Sequence, residues 1–188
     1  MEKMQEVIYM KDIRIRKLVF AALMAALTYV ATMVIQIPSP MQGYVNLGDC
    51  CVLLSGWLLG PWWGGGAAGI GSMLADVLAG YMSYAIGTLI IKAGVALIGT
   101  AVYNRFGRGQ SGKKAVAVML VASILAEIFM ILGYFAYEAV CLGIGVGAAG
   151  AIPGNIGQGV VGVIIAVVLT PILTRSRELN NLMEKTRS

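Results

Sequence analysis

The chain has 188 residues, 59% of them hydrophobic and only 12% charged, whereas soluble domains carry about a quarter charged residues. With a mean hydropathy of +0.82, this is the composition of an integral membrane protein with no room for a separate soluble domain. The net charge of +5 does not indicate nucleic acid: thirteen of the fourteen Lys and Arg fall in three groups, Lys3 to Lys17, Arg105 to Lys114 and Arg175 to Arg187. Cytoplasmic loops of membrane proteins retain such groups, and only Lys92 stands apart from them.

A bilayer-crossing helix needs roughly 20 apolar residues. Apolar runs at 18–37, 48–62, 64–80, 84–104, 115–138 and 153–174 predict an all-α integral membrane protein, 1–188 forming a single membrane domain with six transmembrane helices. The first run is too long for the apolar part of a signal peptide and is expected to stay as a span. Four runs separate the first basic group from the second and two separate the second from the third. Even numbers return the chain to one face, so both termini and Arg105–Lys114 are expected to be cytoplasmic. The loops at 38–49, 81–83 and 139–152 would then be external, and they contain no Lys or Arg.

Polar residues recur inside the runs at helical spacing. In chain order these are Thr28, Thr32 and Gln36; then Ser72 and Asp76; Tyr84, Thr88 and Lys92; Ser123, Glu127, Tyr134 and Glu138; and Asn155 and Gln158. The segment "GYVNLGD" before the second run adds Tyr44, Asn46 and Asp49. Polar stripes on five helices cannot all face lipid, so a polar cavity opening outward is expected, with residues 38–49 as an ordered lip. Similar depth makes Lys92 and Glu127 an expected ion pair, leaving Asp49, Asp76 and Glu138 near the mouth to meet a ligand. Tyr44, Tyr81, Tyr84, Tyr134 and Tyr137 could stack on a flat ring or belong to the interfacial belt. The candidate ligand contacts are therefore Gln36, Tyr44, Asn46, Asp49, Asp76, Tyr84, Lys92, Glu127, Tyr134, Glu138, Asn155 and Gln158.

There is no histidine, which removes the commonest metal ligand and general base. Cys50, Cys51 and Cys141 lack the companions of a zinc site and read as packing residues. No metal, cofactor or catalytic set is expected, and an aspartate dyad of Asp49 and Asp76 is disfavoured because Asp49 is expected near the surface.

The ordered strings "GYVNLGD", "LLGPWWG", "GIGSMLADVLAGY", "GTLIIKAG", an "AE" in the fifth run and "PGN" in the sixth resemble the substrate-binding S components of energy-coupling factor (ECF) vitamin transporters. The likeness covers about residues 14–174 and is closest to the riboflavin-type or hydroxymethylpyrimidine/pyridoxine-type branch. It implies a multi-pass protein of the bacterial plasma membrane that captures a small water-soluble vitamin or precursor at the outer face. Its implied partners are the lipid bilayer, a transmembrane coupling protein and two ATPase subunits. The alanine motif that docks such subunits maps onto Ala21, Ala22, Ala25 and Ala26, and the whole subunit is thought to topple to carry its site inward. The chain contains no GxxxxGK[ST] phosphate loop, as that division of labour requires. A self-sufficient proton-coupled secondary transporter is the alternative, although the inverted repeats frequent in such folds are not evident.

Overall fold

The computed structural model describes residues 2–39, 43–107, 109–110 and 112–176, with side chains from residue 14 onward. The side chains of the first basic group up to Lys11, together with Arg108 and everything beyond residue 176, lie outside the described residues.

Helix α1 (Glu2–Val34) carries the first apolar run. It stops short of the expected limit at 37 because the residue before a proline, here Pro38, is pushed into extended backbone. The chain continues as β1 (Gln36–Pro38), which pairs antiparallel with β2 (Tyr44–Asn46), Gln36 opposite Asn46 and Pro38 opposite Tyr44. The expected lip is thus a short β-hairpin, the one departure from an all-helical fold among the described residues.

Helix α2 (Gly48–Ala79) is two helical arms joined at Gly60. Gly60 adopts φ 80° and ψ 177°, a conformation open to glycine alone, and Pro61 then starts the second arm, as proline does well at a first helical position. Gly64 rests on the backbone of Ser55 and Gly56, so the chain doubles back. The runs 48–62 and 64–80, expected as separate spans, are therefore arms of one element, and the described fold has five α-helices rather than six. The bend needs no loop residues, which is why the two arms merge.

Helix α3 (Ala85–Phe106) and helix α4 (Gly112–Ala136) follow. Helix α4 widens into a π-turn at Tyr137–Cys141; a 3₁₀ segment, Gly145–Ala151, then leads into α5 (Ile152–Leu173). The stretch 139–152, expected as loop, is largely built from these two segments. Among the described residues four stretches are long and apolar enough to cross a membrane: Arg14–Val34, Ala85–Phe106, Gly112–Cys141 and Gly145–Leu173.

The core gathers on α2, which packs against α1, α3 and α5. Val52, Leu53, Trp57, Leu59, Ala68 and Ala75 are buried there, with Ala122 and Ala126 of α4. Small residues let helices approach closely where lipid offers no hydrophobic drive: Gly71 sits directly on the Ala25 carbonyl of α1. The outward faces carry Leu18, Val30, Ile90, Leu132, Val160 and Ile164, all exposed, as a lipid-facing belt requires. Trp62, at the α2 bend, is 80% exposed, a place suited to the membrane interface. The cysteines do not share one role: Cys50 is buried and Cys51 half-buried, but Cys141 is exposed at the end of the π-turn.

Candidate functional site

Beneath the hairpin lies a small polar cavity of about 30 Å³, partly open to solvent. Its wall takes Thr32 from α1, Ser39, Gly43, Tyr44 and Asn46 from the hairpin, and Ser72 and Asp76 from α2. The remainder comes from Tyr84, Thr88 and Lys92 at the start of α3, Tyr134 and Glu138 from α4 and its π-turn, and Ala151, Asn155 and Gln158 around the start of α5.

Two tyrosines fasten acids at the mouth. Tyr44 donates its hydroxyl to Asp76 Oδ1 at 2.7 Å, and Tyr84 donates to Glu138 Oε1 at 3.3 Å. Burial, reinforced by Asp76, pushes the Tyr44 phenol far above its usual pKa; burial and then Glu138 do the same for Tyr84. Both hydroxyls therefore keep their protons and remain donors. Tyr134 donates to Thr88 Oγ1 at 3.1 Å. The Tyr44 bond ties the hairpin to the second arm of α2 and holds it over the cavity.

The floor is one connected network. Lys92 donates to Asp49 Oδ1 as an ion pair and to Met130 Sδ at 3.0 Å. Gln158 donates to Asp49 Oδ2 at 2.7 Å and accepts from the Asn46 backbone N–H at 2.8 Å. The Asn46 side chain in turn accepts from the Gly48 N–H at 2.8 Å. An intramembrane charge costs about 2.5–3.5 kcal/mol at a helix centre, and mutual pairing with further hydrogen bonds offsets that cost. The same bonds tie the second hairpin strand to α2, α3 and α5.

Of the twelve candidate contacts, nine line this cavity: Tyr44, Asn46, Asp76, Tyr84, Lys92, Tyr134, Glu138, Asn155 and Gln158. The other three do not. Gln36 lies in β1, half-buried beside Met33. Asp49, expected near the mouth, is 0% exposed behind the wall. Helix α5 approaches it closely enough that a Cβ on Gly162 would stand 2.7 Å from Asp49 Cβ. Glu127 does not pair with Lys92, which Asp49 holds instead. It rests against Gly159 and faces an apolar groove between α4 and α5, both oxygens without a hydrogen bond. Thr32, Ser72 and Thr88 belong to the wall although they were not among the candidates; their place in the polar stripes was the signal for them. Ser39 and Ala151 carry no such signal. Among the described residues no group of His, Cys, Asp and Glu could hold a metal ion.

The alanine face of α1 lies elsewhere. Ala21, Ala22, Ala25 and Ala26 line an apolar groove of about 660 Å³ with Leu18, Trp62, Trp63, Ile70 and Leu74. Ala22 and Ala26 are exposed, Ala25 is half-buried and Ala21 is turned inward.

Residues 12–175 match the family model of the ECF-type riboflavin transporter, S component. A relative from Pyrococcus woesei, described only as an uncharacterized protein in gap 3'region, is 40% identical over 147 residues, 78% of this chain and 93% of its own. Among solved structures, the S component of a bacterial ECF transporter superposes with a TM-score of 0.65 at 21% identity, covering 86% of this chain and 97% of that one. That likeness speaks to the fold. With its apolar helices, its polar cavity and a family match over most of its length, the chain belongs to the S components of ECF transporters, membrane transport subunits rather than enzymes.

Proposed function

We propose that the chain is the ligand-capturing subunit of an ECF-type importer in the plasma membrane, crossing it six times when the arms of α2 are counted separately, with both termini cytoplasmic. The ligand is a small water-soluble vitamin or precursor with a flat heterocycle: riboflavin, after which the family is described, or a pyridoxine-like or aminopyrimidine compound. The observation that carries this reading is the cavity itself. Polar groups converge there from every described helix, under a hairpin that the Tyr44–Asp76 bond holds shut. Carboxylates and hydroxyls answer the donors of such a heterocycle, and tyrosine rings can stack on it. Delivery follows by docking of the α1 groove, with Ala22 and Ala26 outermost, onto a coupling protein served by two ATPases.

The test has two parts. Denaturing the purified full-length protein and analysing the released small molecules by mass spectrometry should yield a heterocyclic vitamin. Uptake of that compound should require the coupling protein and ATPases. Uptake by this chain alone, driven by a proton gradient, would replace the reading with that of a secondary transporter.

A further inference from the structure

We propose that the cavity selects a cation: the ligand presents a positively charged nitrogen, as a protonated amine or a ring cation, to Asp76 and Glu138. This rests on the cavity being the ligand site, and it narrows the ligand class.

The first ground is the charge on the wall. Asp76 and Glu138 both line the cavity, and Lys92 is the single basic side chain among the described lining residues. Its ammonium is already committed to Asp49, which lies behind the wall. That pair is neutral as a unit, so among the described lining residues the two acids have no cation of their own.

The second ground is valence. Each acid spends one oxygen on a tyrosine hydroxyl. The other oxygens, Asp76 Oδ2 and Glu138 Oε2, have no hydrogen bond, on side chains 4% and 3% exposed. Thr88 is close to Asp76 but makes no well-formed bond to Oδ2. Ser72 Oγ, also buried, is likewise unpartnered. Buried polar atoms are almost always satisfied, and leaving a charged one unsatisfied is costly. Two acceptors on residues that line one cavity thus lack a donor, and a ligand nitrogen is the donor proposed for them.

The third ground is aromatic: Tyr44, Tyr84 and Tyr134 line the cavity, and Tyr81 and Tyr137 pack beside the first two. Ring centroids run Tyr44–Tyr81 at 4.7 Å, Tyr81–Tyr84 at 6.5 Å and Tyr84–Tyr137 at 6.3 Å. This chain of rings connects the tyrosine that holds Asp76 to the one that holds Glu138. Aromatic faces attract cations electrostatically, most of all when desolvated. A neutral donor would satisfy the second ground alone, a flat neutral ring the third alone. A cationic heterocycle meets all three, and a phosphorylated one is repelled.

Calorimetric titration of the detergent-solubilised full chain tests this with two probe pairs. Pyridoxamine and pyridoxine share a ring and differ in one aminomethyl against one hydroxymethyl group. Thiamine is a permanent cation and riboflavin a neutral flat ring. The expected result is a preference for the cation of about tenfold or more in at least one pair, the scale of one well-made charged contact. That preference should shrink in Asp76→Asn and in Glu138→Gln, with unliganded melting temperatures retained. Glu138→Gln preserves shape and carries the test if Asp76→Asn does not fold. Tighter binding of both neutral members, no binding of either cation, or an unchanged preference in the folded variants overturns the proposal. The S-component reading is decided separately, by whether uptake requires the ATPases.

Discussion

Asp49 shows how one residue's meaning depends on what covers it. Its carboxyl holds Lys92 and Gln158 and has no exposure to the cavity. Asp49→Asn would leave the Lys92 ammonium buried without its counter-charge, and breaking a buried pair from one side costs about 3–5 kcal/mol. Melting of the detergent-solubilised variant should fall accordingly. Removing the lysine charge as well, in Asp49→Asn with Lys92→Met, should recover a large part of the loss. If the double variant melts no higher than the single one, the charge pair is not what holds this floor together. The sequence placed Asp49 correctly at a helix start, but only α5, brought close by Gly162, makes that start an interior position. Glu127 was misread for a related reason. Depth along α4 could be counted at about 1.5 Å per residue, whereas rotation about the axis, which turns it toward Gly159, could not.

At the scale of elements, the hairpin and the α1 groove make separable predictions. Tyr44→Phe deletes the hydroxyl that reaches Asp76 while preserving the ring. Losing a hydrogen bond to a charged group costs about 1.5–3 kcal/mol, so affinity for the released vitamin should drop roughly ten- to hundredfold, mostly as faster release. An unchanged dissociation rate in stopped-flow measurements would mean that this bond does not hold the hairpin closed. Ala22→Trp or Ala26→Trp, on the exposed part of the groove, should abolish uptake with the transport module and leave binding by the isolated subunit intact. Uptake that survives both substitutions would place docking on another face. The groove's alanines were legible through the family resemblance, whose docking motif maps onto them. The strands were not: three residues each give too short a pattern to show period-two alternation.

Over the whole molecule, apolar runs marked each α-helix among the described residues, because lipid permits little but helices and makes each announce itself by length and hydropathy. The number of independent elements was less legible. A reversal at Gly60 that uses no loop leaves nothing in the sequence to separate two helices from one bent helix. The convergence of polar stripes on one cavity could be argued from the impossibility of all of them facing lipid, and nine of the twelve candidates do share it. Which acids remained uncommitted there depended on the partner Lys92 took, a matter of packing that periodicity does not encode.

The exposed thiol at the end of the π-turn has a practical consequence for orientation. Among the described residues Cys141 is exposed, whereas Cys50 is buried and Cys51 half-buried, so the unmodified chain carries its own topological reporter. In the proposed orientation Cys141 faces outward and the segment around Gln110 faces the cytoplasm. A membrane-impermeant maleimide added to intact cells should tag the wild type and spare Cys141→Ser. A thiol introduced as Gln110→Cys in the Cys141→Ser background should react only after the cells are opened. Tagging of Gln110→Cys in sealed cells would invert the assignment, and with it the side from which the hairpin meets its ligand.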